Sequence, residues 1–77
     1  MKLEGIVVVP TSILSDDWDY EADDKWVAID FEQMKACFFK CEPTAQQVAN
    51  ANIWWDLEPL NDEDKKAIEK YLAKHMG

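Results

Sequence analysis

Few residues in this chain have the types that nucleophilic or metal chemistry requires. The single histidine, His75, and two cysteines, Cys37 and Cys41, are the natural starting points. A Cys–His pair would need the fold to carry His75 to one of the thiols, because thiolate attack depends on a neighbouring base. His75 instead falls in the last turn of a C-terminal helical pattern, where a cation-capable side chain complements the negative end of the helix dipole. Cys37-x-x-x-Cys41 would set two thiols on one helical face, but a closed structural zinc site wants four Cys or His ligands. The whole chain holds three. Both cysteines are therefore read as small core hydrophobes.

Asp17, Asp19, Glu21 and Asp23 alternate in a way that suggests a calcium loop. An EF-hand loop begun at Asp17 would need Gly at its sixth position and Glu at its twelfth. Ala22 and Ala28 stand there instead. Sixteen acids permit many carboxylate pairs, yet glycoside hydrolysis also needs a sugar cleft that so small a domain can hardly build. The expectation is a protein that is not an enzyme and uses no metal or cofactor.

What remains is the pairing of acids with aromatics. Trp18, Tyr20 and Trp26 lie among or beside Asp16, Asp17, Asp19, Glu21, Asp23 and Asp24, while Trp54 and Trp55 precede Asp56 and Glu58. Tryptophan and tyrosine are enriched at binding hot spots, and clustered negative charge steers a positive partner. These eleven positions, with Trp54 and Trp55 left aside, form the expected partner-binding set. Trp18 is the expected anchor, because core packing is hard within a charge run. The plainer alternative makes Trp26 and one of Trp54 and Trp55 core residues and the acidic run a solubilising loop.

Composition narrows the partner. The 77 residues include eight lysines and no arginine against sixteen acids, for a net charge of −8. Phosphate neutralisation needs clustered Lys and Arg, so direct binding to nucleic acid is disfavoured and a basic or polar partner is favoured. The charge is local: six carboxylates and no base lie in 15–24, and five carboxylates in 56–64. The longest aliphatic run, Ile6 to Val9, stops at Pro10, far short of the roughly 20 residues of a membrane span and too short for a signal-peptide core. Reduced thiols in the cytoplasm are expected.

Those residues must be positioned by a small α+β domain spanning 1–77, with two or three antiparallel strands near the N-terminus packed against two or three helices. The β-branched run from Lys2 to Val9 predicts one strand, and Ile13 and Leu14 should pin the following turn to the core. Residues 15–24 predict a solvated loop. Lys25 to Phe31 alternates with Val27, Ile29 and Phe31 on one face and Trp26 and Ala28 on the other, a second strand antiparallel to the first. Asp30 with Gln33 has the form of a helix start, and Met34, Cys37, Phe38 and Cys41 then follow a helical stripe to about Lys40. The competing reading of that segment is a third strand. Thr44 is an N-cap for a helix over 45–55, short or frayed because its two asparagines weaken the later turns. Asn61 caps the strongest element, whose buried stripe is Ala67, Ile68, Tyr71, Leu72 and Met76. The helices are expected on one face of the sheet.

In size and composition alone, over no alignable motif, the chain resembles the compact, very acidic anti-restriction and anti-CRISPR proteins of phages and mobile elements. The resemblance implies an inhibitor whose carboxylates stand in for phosphates on a basic surface of a nuclease or other nucleic-acid-binding complex, acting as a monomer or homodimer. Alternatives are an antitoxin or bacteriocin-immunity-like neutraliser of a specific toxin, and an accessory subunit of a larger assembly. An exposed strand edge would invite addition of a further strand.

Overall fold

The computed structural model describes residues 2–3, 5–15, 18–57 and 61–75. Among them an antiparallel sheet is built on three five-residue strands, with a two-residue pairing at either edge. In order across the sheet these are β1 (Lys2–Leu3), β2 (Ile6–Pro10), β3 (Trp26–Asp30), β4 (Lys35–Phe39) and β5 (Trp55–Asp56). The broad α+β class is as expected, but the sheet is larger and the described helices fewer. They are α1 (Ala45–Ala49) and α2 (Asp62–His75), besides a single 3-10 turn at Thr11–Ile13.

The N-terminal run is not one strand. It reverses at Gly5, whose φ of +74° is a left-handed conformation that side-chain-bearing residues rarely adopt, so that Lys2 pairs with Val7 and Leu3 with Ile6. Pro10 ends β2, and Leu14 is buried just beyond the 3-10 turn, as its apolar character suggested. β2 and β3 then pair antiparallel from Ile6–Asp30 to Pro10–Trp26.

The segment read as a helix after Asp30 is a hairpin. Asp30 Oδ1 does accept from two backbone amides, Glu32 N–H at 2.9 Å and Gln33 N–H at 3.1 Å. That bonding is the same for an N-cap and for an Asx turn, and here it closes residues 31–34 between β3 and β4. Met34 then takes a φ of +53°, which a right-handed helix cannot contain. The chain returns as β4, pairing Asp30 with Lys35 through Trp26 with Phe39. β-branched Val27 and Ile29 offer a strand neighbour to which Ala36, Cys37 and Phe38 add. The strand composition therefore prevails over the helical spacing. As a consequence Cys37 is buried on β4, while Cys41 lies beyond it and is exposed rather than in the core.

Alternation sends the two faces of the sheet into different cores. Val7, Val9, Val27, Ile29 and Ala36 meet Ile68 of α2 on one face. Val8 and Ala28 meet Val48 of α1 on the other, with Trp26 and Trp54 against them. Helices thus cover both faces, not one. The cause is that β2 and β3 are apolar on both sides, and each fully buried Val or Ile contributes about 1.5–3 kcal/mol. Thr44 caps α1 as expected: its Oγ1 accepts from Gln47 N–H, and Gln47 Oε1 accepts from Thr44 N–H. α1 ends at Ala49, and Trp55, read as its tail, is a strand residue beside Ala36. Asn61 caps α2 through a 2.7 Å bond from Asp64 N–H to its Oδ1. Ile68 is buried and Tyr71 and Leu72 half-buried, whereas Met76 lies outside the described residues. No described helix is long and apolar enough to cross a membrane.

Candidate protein-binding surface

The side chain that organises the acidic region belongs to α2. Asp64 is 2% exposed, and a carboxylate so buried must be met by donors. Ser15 supplies two, its N–H to Oδ1 at 2.9 Å and its hydroxyl to Oδ2 at 3.0 Å. Trp18 supplies a third, its Nε1–H to Oδ2 at 3.0 Å. The start of the acidic run is therefore tied to the N-terminus of α2, 46 to 49 residues away in sequence.

This tie revises the role expected of the aromatics. The Trp18 ring is half-buried against the α2-side core and meets Phe38 edge-on, with centroids 6.4 Å apart. Tyr20 stacks on the same Phe38 at 5.7 Å, and its hydroxyl donates to Thr11 C=O at 3.4 Å. Both rings are committed within the fold, so neither is the free anchor that a solvated loop would present. Trp26 is not brought to them, because it packs on the opposite face of the sheet with Val8 and Ala28. The tryptophan left in solvent is Trp55, 62% exposed on the edge strand.

The acids also divide by role. Asp24 Oδ2 accepts from Glu21 N–H at 3.1 Å, and its carbonyl accepts from buried Thr11 Oγ1 at 2.8 Å, so this acid shapes the loop. Asp23 pairs with Lys40. The Lys40 ammonium, through its hydrogen bond and its charge, holds the Asp23 carboxyl below the ordinary carboxylate range, and Asp23 raises Lys40 in return. Asp19 and Glu21 are exposed, as are Asp62 and Glu63 on the first turn of α2. Asp56 is exposed on β5, across from Lys35. Asp16, Asp17 and Glu58 lie outside the described residues.

The residue that sequence reasoning missed is the buried Asp64. Its position offered a signal, since it precedes Ile68 by four residues and Tyr71 by seven and so shares their buried line.

Among the described residues no three His, Cys, Asp or Glu side chains converge to hold a metal ion. Burial, and secondarily the charge of Asp24, push the Cys37 thiol up, away from the reactive thiolate. His75 stacks on Tyr71 with ring centroids 4.2 Å apart. A shallow groove of about 350 Å³ opens beside α1, lined by Ile6, Asp30, Gln33, Lys35, Val48 and Trp54 among others. It mixes one acid, one base, two amides and apolar groups without a dominant ligand chemistry. No protein-family model, no curated protein and no solved structure matches this chain.

Proposed function

We propose that the protein is a small, non-enzymatic inhibitor that binds the basic, nucleic-acid-handling surface of a larger cytoplasmic protein, its carboxylates standing in for phosphates. The observation that carries this reading is the Asp64 tie. It ties Ser15 and Trp18, at the start of the first acidic cluster, to the N-terminus of α2, whose first turn carries the exposed Asp62 and Glu63 of the second. Charge of one sign concentrated on a rigid support raises the association rate of a positive partner and disfavours wrong ones. A loop bonded to a helix terminus also loses less conformational freedom on binding than a free one. The phage or mobile-element, anti-restriction or anti-CRISPR type is the form of inhibitor proposed, on size and composition.

Affinity capture from the native host, followed by titration of the recovered complex, tests this. Binding should weaken steeply with added salt, duplex DNA or RNA should compete for the same partner, and Asp62→Asn/Glu63→Gln should weaken binding as Asp19→Asn/Glu21→Gln does. Affinity indifferent to ionic strength would overturn the phosphate-mimic reading.

A further inference from the structure

Ladder geometry fixes where each backbone group of β4 points. Thr11 N–H bonds to Lys25 C=O and Phe31 N–H to Gly5 C=O, so in the β2–β3 register the odd-numbered residues of β3 turn their backbone groups toward β2. Trp26, Ala28 and Asp30 then serve β4, which commits Lys35, Cys37 and Phe39 inward. Ala36 and Phe38 face the outer edge. Ala36 is met there by Trp55, and Leu57 N–H continues the ladder with a 2.9 Å bond to Met34 C=O. In the same register Phe38 would lie opposite Ile53, but β5 begins only at Trp55. Among the described residues no bond reaches the outward N–H or C=O of Phe38. The opposite edge of the sheet differs: Pro10 has no N–H, and Val8 is already engaged.

The surroundings of this gap select its occupant. The Phe38 ring carries Trp18 and Tyr20 of the acidic run, with Asp19 and Glu21 exposed next to them in the chain. Of the cations near this edge, Lys40 is taken up by Asp23, while Lys25, whose N–H bonds to Phe39 C=O, is exposed. Ile53 and Trp55, 66% and 62% exposed, offer apolar cover beside the gap. We propose that the β4 edge at Phe38 receives an extended, lysine- or arginine-bearing segment of a partner protein as an added strand, alternate side chains reaching the acids and the apolar flank. This rests on the reading of the protein as a binder of basic partners and specifies what part of such a partner it holds. A second copy of this chain is the poorer occupant, because each copy carries −8.

The probe is the capped peptide acetyl-Lys-Val-Lys-Val-Lys-amide, added to the isotope-labelled full chain and followed by amide NMR and hydrogen exchange. The peptide should slow exchange of the Phe38 amide by about tenfold or more, and its glutamate-for-lysine counterpart should bind at least about tenfold more weakly. A version N-methylated at alternate residues, unable to complete the ladder, should not protect Phe38. Absence of binding, equal binding by the N-methylated peptide, or protection confined to residues away from β4 overturns strand addition. So does sedimentation showing a dimer of the free protein with Phe38 already protected. The two proposals fail separately: a salt-sensitive native partner without Phe38 protection removes strand addition alone, and Phe38 protection with a salt-indifferent partner removes phosphate mimicry alone.

Discussion

Asp64 stands to three hydrogen bonds as a single acceptor, and its deletion leaves the donors on Ser15 and Trp18 with nothing to meet. Hydrogen bonds to a charged group contribute roughly 1.5–3 kcal/mol each, and unsatisfied buried donors cost as much again. Asp64→Ala should therefore lose about 3 kcal/mol of unfolding free energy in urea titration, and Ser15→Ala about 1 kcal/mol; equal losses from the two would deny Asp64 its central role. The pair Asp23–Lys40 is a different case, both side chains being solvent-exposed. Because the folded Asp23 value is depressed, the pair's contribution is present above the ordinary Asp value of 3.8 and is lost as pH falls through the lower folded value. Lys40 is raised, so its contribution is full below its ordinary 10.5 and disappears as pH climbs through the higher folded value. In Lys40→Met, NMR titration of the Asp23 carboxyl should show its midpoint move back up; an unmoved midpoint would assign the depression to other groups.

At the scale of elements, the hairpin between β3 and β4 holds a local cost that the sheet outweighs. Met34 lies in the left-handed region, which disfavours a side-chain-bearing residue by about 1–2 kcal/mol, while β4 gains a five-residue ladder and the burial of Ala36 and Cys37. Met34→Gly should relieve that cost and raise stability by up to about 1 kcal/mol in chemical denaturation, the greater entropy of unfolded glycine offsetting the rest. A net loss would mean that the half-buried methionine side chain matters more than its backbone. This hairpin also marks the limit of local reading. Asp30 and Gln33 carry a true side-chain-to-backbone signal, and the stripe of Met34, Cys37, Phe38 and Cys41 has true helical spacing; both are silent about whether a strand is waiting alongside. Where no such competition existed, at Thr44 and Asn61, the cap read from residue type is the cap in the fold.

For the molecule as a whole, sixteen acids against eight lysines leave a net charge of −8, and self-repulsion should be felt in folding as well as in binding. Raising salt from about 10 mM to about 150 mM shortens the screening length from about 30 Å to about 8 Å. The melting temperature should rise over that range, measured by circular dichroism at constant pH, and the rise should shrink in Asp62→Asn/Glu63→Gln. A flat or falling melting temperature would show that the exposed acids are too far apart to oppose one another.

The sequence by itself determined the α+β class, the two faces of β3, the buried turn at Leu14, the caps of α1 and α2 and the two blocks of negative charge. Each depends on neighbours within a few residues, through period, side-chain acceptors or simple count. Tertiary structure alone decided that residues 35–39 are a strand, that both faces of the sheet are covered and that Trp18 and Tyr20 turn inward. It alone bonded Asp64 to Ser15 and Trp18 of the acidic run and left the outer edge of Phe38 unmet among the described residues. The reason is that strand pairing and burial are settled by partners far along the chain, and a carboxylate's place inside or outside is set by the donors that the fold brings to it.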